Sequence, residues 1–261
     1  MELKLNRMNR RRILRTVGMT AGTGLLGGCG SRSSIVEKPE GSKPVEWPYA
    51  PLTPAEVAAE AYRQFPGNGC MFGLCTGVVG ALVKLVGEPY RSFPLHMMRY
   101  GEGGCGNWGS LCGALNGGAA MIGLIEQNKQ QREKLVAELF SWYENTALPM
   151  FRPKKDAEET IAVPPSTAGS ILCHVSLDQW RKVSECDLFG KEKVERCRRL
   201  TADTAGKTVE LLNRNVQKSA VFAELAPATQ ACNACHGKME LRDSKGKMGC
   251  CSCHQFTKEH P

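Results

Sequence analysis

Two Cys-x-x-Cys-His runs near the C-terminus decide how the rest of the chain is organised: Cys232-Asn233-Ala234-Cys235-His236 and Cys250-Cys251-Ser252-Cys253-His254. Such a run is the attachment signature of c-type haem. Two thiols spaced in this way can form thioethers with the two vinyl groups of one porphyrin, and the histidine that follows can bind the iron. The sequence therefore predicts two haem c groups, with Cys232, Cys235, Cys250 and Cys253 as thioether attachments and His236 and His254 as proximal iron ligands.

A zinc site is the alternative interpretation of the same cysteines. The two cysteine pairs are separated by fourteen residues, which is close to zinc-ribbon spacing. Both pairs are followed directly by histidine, however, and a four-cysteine zinc site does not need those histidines. Haem is therefore favoured, and the zinc alternative predicts a colourless protein with a structural or scaffolding role.

Residues 1–29 are predicted to be an export signal. The run Asn9-Arg10-Arg11-Arg12-Ile13-Leu14-Arg15 resembles a twin-arginine signal, and the apolar stretch over residues 17–28 is too short for a transmembrane helix. It ends in Leu26-Gly27-Gly28-Cys29, which resembles a lipoprotein signal-peptidase site. We therefore expect lipidation of Cys29, with simple cleavage near Gly28 as the alternative. The expected location is periplasmic or otherwise extracytoplasmic, with residues 30–52 as a flexible tether.

The charge of the chain gives no support to nucleic-acid binding. The formal net charge is +8, but residues 1–28 contain six basic residues and one acidic residue, which leaves +3 for the rest. No basic patch interleaved with aromatic residues remains in that part.

Residues 53–226 are predicted to form an all-α helical bundle, because no stretch alternates between apolar and polar residues as a strand does. Thr53-Pro54-Ala55-Glu56 is a capping box that predicts a helix to about Phe65. Further helices are predicted over residues 68–86, 108–125, 127–145, 176–184 and 192–213. Residues 227–261 are predicted to be a short di-haem segment low in regular structure.

Glycines in two of these helices predict close packing. The helix over 68–86 contains Gly73, Gly77 and Gly80. Because glycine in a helix costs about 1 kcal/mol relative to alanine, we expect another backbone or a bulky cofactor to lie against them. In the helix over 108–125, glycines at 109, 113 and 117 would stack on one face.

The chain contains 13 cysteines, which is a high number for 261 residues. Without Cys29 and the four haem thiols, eight remain: Cys70, Cys75, Cys105, Cys112, Cys173, Cys186, Cys197 and Cys251. In an oxidising compartment an even number of cysteines indicates disulfides, and a metal cluster is the competing interpretation.

Five segments between residue 68 and the C-terminus carry a family resemblance. They are Met97-Met98-Arg99-Tyr100-Gly101, Trp108-Gly109-Ser110-Leu111-Cys112-Gly113-Ala114-Leu115-Asn116-Gly117, Leu172-Cys173-His174-Val175-Ser176 with Trp180, Cys197-Arg198-Arg199-Leu200-Thr201, and Val209-Glu210-Leu211-Leu212-Asn213. With the two haem motifs, these segments resemble the split-Soret cytochrome c family and, more broadly, redox proteins marked by four cysteines and a Cys-Gly-Ala-x-x-Gly motif. The resemblance implies a homodimer of helical bundles, with two haem c groups per subunit close together at one end. It also implies histidines on both axial sides of the irons and an iron–sulfur site near the family cysteines.

Two distal ligands are needed if each haem iron has two histidine ligands. The candidates are His174, His260 and His96, and His174 is favoured because it lies inside a matching segment. Methionine is the rival type of distal ligand, with Met97, Met98, Met239 and Met248 as candidates.

An iron–sulfur cluster needs thiolates from different helices to converge, and the candidates chosen here are Cys70, Cys112, Cys186 and Cys197. Cys186 and Cys197 are eleven residues apart, which is three helical turns, so they share a face if one helix carries both. Two buried disulfides or inert core thiols are the alternative.

Electron transfer is the function that these features favour, with a dehydrogenase or a quinol-linked protein as the redox partner. The alternative is a haem or iron–sulfur oxidoreductase that acts on a small substrate, which would need a vacant iron coordination position. The sequence singles out no catalytic residue.

Overall fold

A computed structural model describes residues 45–153, 161–219, 222, 225, 227–237 and 246–249. The described chain forms seven α-helices: α1 Pro54–Gln64, α2 Gly69–Leu85, α3 Gly113–Ile125, α4 Lys129–Asn145, α5 Cys173–Ser184, α6 Lys191–Val216 and α7 Pro227–His236. Two short 3-10 helices, Tyr90–Ser92 and Leu95–Gly101, lie between α2 and α3. The all-α prediction is confirmed.

Strand structure is minor in the described residues. Strands β1 (Ala147–Leu148) and β2 (Ser166–Thr167) pair antiparallel, with Ala147 opposite Thr167. One isolated antiparallel bridge joins Leu111 to Leu172.

Several predictions fall on residues outside the described ranges. These are the export signal over 1–29 with Cys29, the tether up to residue 44, the second haem motif with Cys250, Cys253 and His254, and His260.

Helix α2 lies at the centre of the bundle and packs against α1, α3 and α6. It is apolar on nearly every side, and Leu74, Val78 and Leu82 are fully buried. A Cβ atom at Gly77 would lie 3.0 Å from the carbonyl oxygen of Val57 in α1, and one at Gly73 would lie equally close to the carbonyl oxygen of Ala61. These two glycines therefore admit the backbone of α1, as the sequence predicts.

Helix α6 is the longest, with 26 residues, and contacts α1, α2, α3 and α4. Leu200, Val209, Leu211 and Leu212 are buried on its inner face as predicted, but Val194 is 47% exposed. The first turns of α6 bury charged residues in place of apolar ones, namely Glu195, Arg196 and Arg199.

Two helices begin at different residues from those predicted. Helix α3 begins at Gly113 and not at Trp108, because the preceding loop contains a run of left-handed residues that ends at Gly109 with φ of +70°. Helix α5 begins at Cys173, three residues before the predicted Ser176. The bridge between Leu111 and Leu172 explains both starts, since it holds the residues just before each helix in an extended conformation.

No helix in the described part of the chain is both long enough and apolar enough to cross a membrane.

The two glycines Gly113 and Gly80 allow a matched test of helix packing. A Cβ at Gly113 would clash with the carbonyl oxygen of Gly101 and lie 3.0 Å from the Sγ atom of Cys70, whereas a Cβ at Gly80 meets nothing within 4 Å. We expect Gly113→Ala to lower the free energy of unfolding by about 1–3 kcal/mol through overpacking. Gly80→Ala should raise it by up to about 1 kcal/mol through helix propensity. Urea unfolding followed by circular dichroism measures both, and equal changes for the two variants would contradict this description of the packing.

Candidate metal centre

Four cysteines line one small internal cavity: Cys70, Cys112, Cys173 and Cys197. The other lining residues are Ala114, Tyr143, Arg196, Leu200 and Thr201. Three of the predicted cluster cysteines, Cys70, Cys112 and Cys197, therefore line the same cavity. The fourth cysteine there is Cys173 and not the predicted Cys186.

Three of these cysteines stand at the N-terminal ends of helices. Cys70 is the second residue of α2, Cys112 is the N-cap residue of α3, and Cys173 is the first residue of α5. Helix N-termini carry unpaired N–H groups and a partial positive charge, and both stabilise negative charge nearby. Cys197 lies in the second turn of α6. The cavity is therefore surrounded by groups that favour an anion.

The bridge between Leu111 and Leu172 sets the positions of two of the thiols. The N–H of Cys112 donates to the carbonyl oxygen of Ile171 at 2.9 Å, and the N–H of Cys173 donates to that of Ser110 at 2.7 Å. These two hydrogen bonds run in opposite directions between the same two chain segments, so Cys112 and Cys173 are held side by side although they lie 61 positions apart.

Burial dominates the ionisation of the cavity thiols. Burial, and then the neighbouring Cys112, Cys197 and Cys173, raise the pKa of Cys70 well above its ordinary value. Burial likewise raises the pKa of Cys173 to about 12, with Cys112 and Cys197 adding to the effect and Arg196 opposing it. These two thiols are therefore protonated at neutral pH until a metal ion displaces their protons.

A buried polar network lies beside the thiols. Nη2 of Arg196 donates to Oγ of Ser176 at 2.6 Å, and the hydroxyl of Tyr143 donates to the same oxygen at 2.9 Å. Tyr143 and Ser176 have no exposed surface, and Arg196 is 2% exposed. Burial raises the pKa of Tyr143 well above its ordinary value, so this phenol stays neutral.

The chemistry of this donor set fits an iron–sulfur or iron–thiolate centre, because such centres are held by cysteine thiolates from separate elements. The cavity volume is about 10 Å³, which is room for about one water molecule. In the described residues, no three His, Cys, Asp or Glu side chains already surround one point as ligands of a single ion. Loading therefore requires the thiol side chains to rotate. In the described helical bundle, the cysteines at positions 70, 75, 105, 112, 173, 186 and 197 form no disulfide.

Cys186, the fourth predicted cluster residue, lies outside this cavity. It is half-buried in the loop between α5 and α6, and its N–H donates to Oγ of Ser184. Cys186 and Cys197 would share a face only if one helix carried both, and α6 begins only at Lys191, after the N-cap Gly190. Cys173 carried a usable signal, since it lies within a segment that bears the family resemblance.

The first haem motif lies on α7, with Cys232, Cys235 and His236 at its C-terminal end. A second cavity of about 630 Å³ lies between α4, residues 169–171, Thr229 of α7 and residues 246–249. Val136, Ala137 and Phe140 form its apolar wall on α4. The cavity is thus lined by a residue of the helix that carries the first haem motif and by the residues that directly precede the second motif in the sequence. Its volume falls within the range of about 300–1,000 Å³ found for ligand and cofactor sites.

A carboxylic acid also faces this cavity. Oε1 of Glu144 is buried and accepts no hydrogen bond from the described part of the chain. Burial raises the pKa of Glu144, and the backbone N–H groups of Gly249 and Ile171 oppose that effect.

Two of the candidate distal histidines lie in described parts of the chain. His174 is exposed, and its Nδ1 lies 2.8 Å from the carbonyl oxygen of Gly109. Since a carbonyl only accepts, Nδ1 carries the proton and Nε2 keeps its lone pair for a metal. His96 is exposed on the 3-10 helix Leu95–Gly101, with its ring centroid 6.3 Å from that of Phe72. Of the rival methionines, Met248 lines the large cavity.

The fold and the site define a helical protein with a buried four-cysteine cavity and a haem attachment motif. Residues 75–211 match the family model "Putative redox-active protein (C_GCAxxG_C_C)", and the chain belongs to this family. The matched range includes Cys112, Cys173 and Cys197, and Cys70 precedes it by five residues.

Relatives extend the match over most of the chain. The sequence is 36% identical over 219 residues to split-Soret cytochrome c of Desulfovibrio desulfuricans, covering 81% of this chain and 78% of that protein. The structure is also similar to a solved structure of the Desulfovibrio desulfuricans split-Soret cytochrome c, which is described as having a novel iron centre. The TM-score is 0.76 at 35% identity, covering 81% of this chain and 91% of the other. The resemblance inferred from the sequence is confirmed.

The variants Cys173→Ser and Cys186→Ser separate the two possible sets of four cysteines. Cys173 lines the cavity and Cys186 does not, so we expect Cys173→Ser to lose most of the metal bound beyond the haem iron. Cys186→Ser should keep it. Metal analysis per chain, after subtraction of haem iron measured as pyridine haemochrome, gives the count. Loss of metal from Cys186→Ser alone would show that Cys186 is the fourth ligand.

Proposed function

We propose that this chain is an exported electron-transfer protein with two haem c groups in its C-terminal segment and an iron centre held by Cys70, Cys112, Cys173 and Cys197. Family membership and similarity to a cytochrome c support a redox role that uses iron. The observation that carries the proposal is the convergence of four cysteines from four helices on one cavity, in a chain that also contains two Cys-x-x-Cys-His motifs.

A bound haem c supplies reversible one-electron chemistry at its iron. The protein residues supply attachment and surroundings. Cys232 and Cys235 would form thioethers, His236 would bind the iron, and the apolar wall of α4 would keep water from the cavity that Thr229 of the same helix α7 lines. Cys250, Cys253 and His254 would do the same at the second motif.

His174 is the best-prepared distal ligand among the described residues. Its Nδ1–H bond to Gly109 fixes the ring and the tautomer, which is the arrangement that metal-binding histidines use. It would serve a haem of the neighbouring subunit or of its own chain. His96 and His260 remain the other candidates.

The iron centre is proposed from the chemistry of the cavity and from the relative whose solved structure contains a novel iron centre. Its thiolate ligands would come from three helix N-termini and from α6. An iron–sulfur cluster is the form that four cysteines favour.

Twin-arginine export, lipidation of Cys29 and assembly as a homodimer complete the proposal. They rest on the N-terminal sequence and on the family resemblance. A lipid anchor would keep the protein at the membrane surface, next to a dehydrogenase or quinol-linked partner that donates electrons. Fractionation of cells producing the natural chain and Cys29→Ala tests the anchor, since only the variant should appear in the soluble extracytoplasmic fraction.

One observation favours a second candidate, an oxidoreductase acting on a small substrate. The cavity of about 630 Å³ contains the buried carboxyl group of Glu144, and a substrate reduction needs a proton donor of this kind. Binding of carbon monoxide or nitrite by the natural protein would support this candidate.

The optical spectrum tests the haem assignments. We expect a c-type pyridine haemochrome with two haems per chain, and six-coordinate low-spin spectra in both redox states. His174→Ala should convert one haem to a five-coordinate form that binds carbon monoxide, whereas His96→Ala should leave the spectrum unchanged. A colourless protein that retains zinc would overturn the haem assignments altogether.

The pH dependence of the haem potential tests whether the large cavity surrounds a haem. As pH rises, Glu144 loses its proton, and the resulting carboxylate stabilises the oxidised haem. The midpoint potential of that haem should therefore fall with rising pH above the ordinary carboxyl range, because burial raises the pKa of Glu144. Arg132, Glu133 and Lys247 also line the cavity, so Glu144→Gln should reduce the pH dependence without removing all of it. An unchanged pH dependence in this variant would place the haem elsewhere.

A further inference from the structure

Arg196 is a buried cation without a carboxylate partner in the described structure. Arg196 is 2% exposed, and its guanidinium donates hydrogen bonds to neutral groups, namely Oγ of Ser176 at 2.6 Å and the carbonyl oxygen of Ser176 at 3.4 Å. Its Nε–H has no hydrogen-bond partner among the residues that the structure describes. Charged side chains in protein interiors are normally paired, because losing water is costly for an ion.

The neighbouring arginines on α6 show the usual arrangement. Nε of Arg199 lies 2.5 Å from Oε1 of Glu195, and Arg198 lies 3.8 Å from Oε2 of the same carboxylate. Glu195 also accepts from the hydroxyl of Tyr62 in α1 at 2.8 Å. The carboxylate next to Arg196 in the chain is therefore occupied on the side of α6 that faces α1.

Arg196 lies instead against the cavity lined by the four cysteines. Within the described chain, the lining includes no aspartate or glutamate, and Arg196 is its one charged side chain. The N-terminal ends of α2, α3 and α5 add partial positive charge at the same place. The positive charge around this cavity is balanced only when the cavity contains a net negative charge.

We propose that Arg196 is the counter-charge of the iron centre, raising its reduction potential and stabilising its thiolates. This inference rests on the iron centre proposed above. Four thiolates carry four negative charges, which exceeds the charge of one Fe²⁺ or Fe³⁺ ion, and bridging sulfides add more. Uptake of one electron, for example from dithionite, reduces one iron from Fe³⁺ to Fe²⁺ and makes the centre more negative by one unit. A fixed positive charge beside it therefore stabilises the reduced form more than the oxidised form.

Ser176 and Tyr143 would act as positioning residues for this charge. The hydroxyl of Ser176 accepts from both Arg196 and Tyr143, so it holds the guanidinium against the cavity from α5 while Tyr143 closes the cavity from α4. Removing the Ser176 hydroxyl leaves the charge in place, which allows charge and geometry to be separated.

Three variants of the full-length, haem-loaded protein test the proposal: Arg196→Gln, Arg196→Lys and Ser176→Ala. Dithionite titration followed by electron paramagnetic resonance gives the midpoint potential of the iron centre, and Soret absorbance gives the haem potentials in the same sample. We expect Arg196→Gln to lower the potential of the iron centre and to speed loss of its iron to a chelator by about 10-fold or more. Arg196→Lys and Ser176→Ala should stay near the natural protein, and the haem potentials should not move.

Arg198→Gln is the matched control, because Arg198 is on the same helix but does not line the cavity. Its guanidinium lies over the ring of Tyr62. Equal potentials in Arg196→Gln and the natural protein would overturn the proposal. A fall of the potential in Ser176→Ala or Arg196→Lys as large as in Arg196→Gln would do so as well, because geometry and not charge would then be responsible. If Arg196→Gln fails to fold, Arg196→Met takes its place, because it removes the charge and keeps a long unbranched side chain. An unchanged potential of the iron centre in that variant overturns the proposal.

The proposed function and this inference fail in distinguishable ways. Natural protein without iron beyond its haems overturns the proposed centre, and the role of Arg196 with it. If the natural protein contains that iron and the potential of the iron centre is the same in Arg196→Gln, only the proposed role of Arg196 is overturned.

Discussion

The antiparallel contact between the residues preceding α3 and α5 is the constraint on which the cysteine site depends. The bridge between Leu111 and Leu172 uses two backbone hydrogen bonds, and those bonds place Cys112 and Cys173 beside each other. Because the bridge also sets where α3 and α5 begin, it points both helix N-termini at the same cavity. Alteration of this contact would move two thiols and two helix dipoles together.

The close packing of α2 provides the remaining geometry. Gly77 admits the backbone of α1, and Gly113 at the start of α3 admits the carbonyl oxygen of Gly101 next to the thiol of Cys70. A side chain at either position would separate elements that the cavity needs at close range. Glycine lowers the helix propensity at these positions. It also allows the close backbone approach that brings three helix N-termini together.

Charge in the interior follows two different patterns on the same helix. Glu195 and Arg199 neutralise each other on the side of α6 that faces α1, whereas Arg196 faces the cavity lined by the four cysteines. Burial outweighs the helix dipoles for Cys70 and Cys173, which is why the pKa values of these two thiols lie above the ordinary thiol value. A metal ion reverses this balance, since it replaces the protons.

Local sequence was sufficient to predict the all-α fold, the approximate extents of α1, α2, α4 and α6, and the haem motifs. Each of these depends on residues that are near one another in the chain, through hydrophobic periodicity, capping residues or a five-residue spacing. The starts of α3 and α5 were mispredicted for a physical reason. The capping box at Ser176 is a local signal, and the pairing of Leu172 with Leu111 overrides it from 61 positions away.

The sequence by itself determined that this protein carries c-type haem attachment motifs and a cysteine-rich helical body of a known redox family. Only the tertiary structure decided which cysteines meet, because nothing in the local sequence shows that the loop before α6 leaves Cys186 outside the cavity that Cys173 lines. It also decided that Arg196 is buried without a carboxylate while Arg199, one turn later, is paired. Burial and pairing depend on which side of a helix its neighbours cover, and the neighbours of α6 come from distant parts of the sequence.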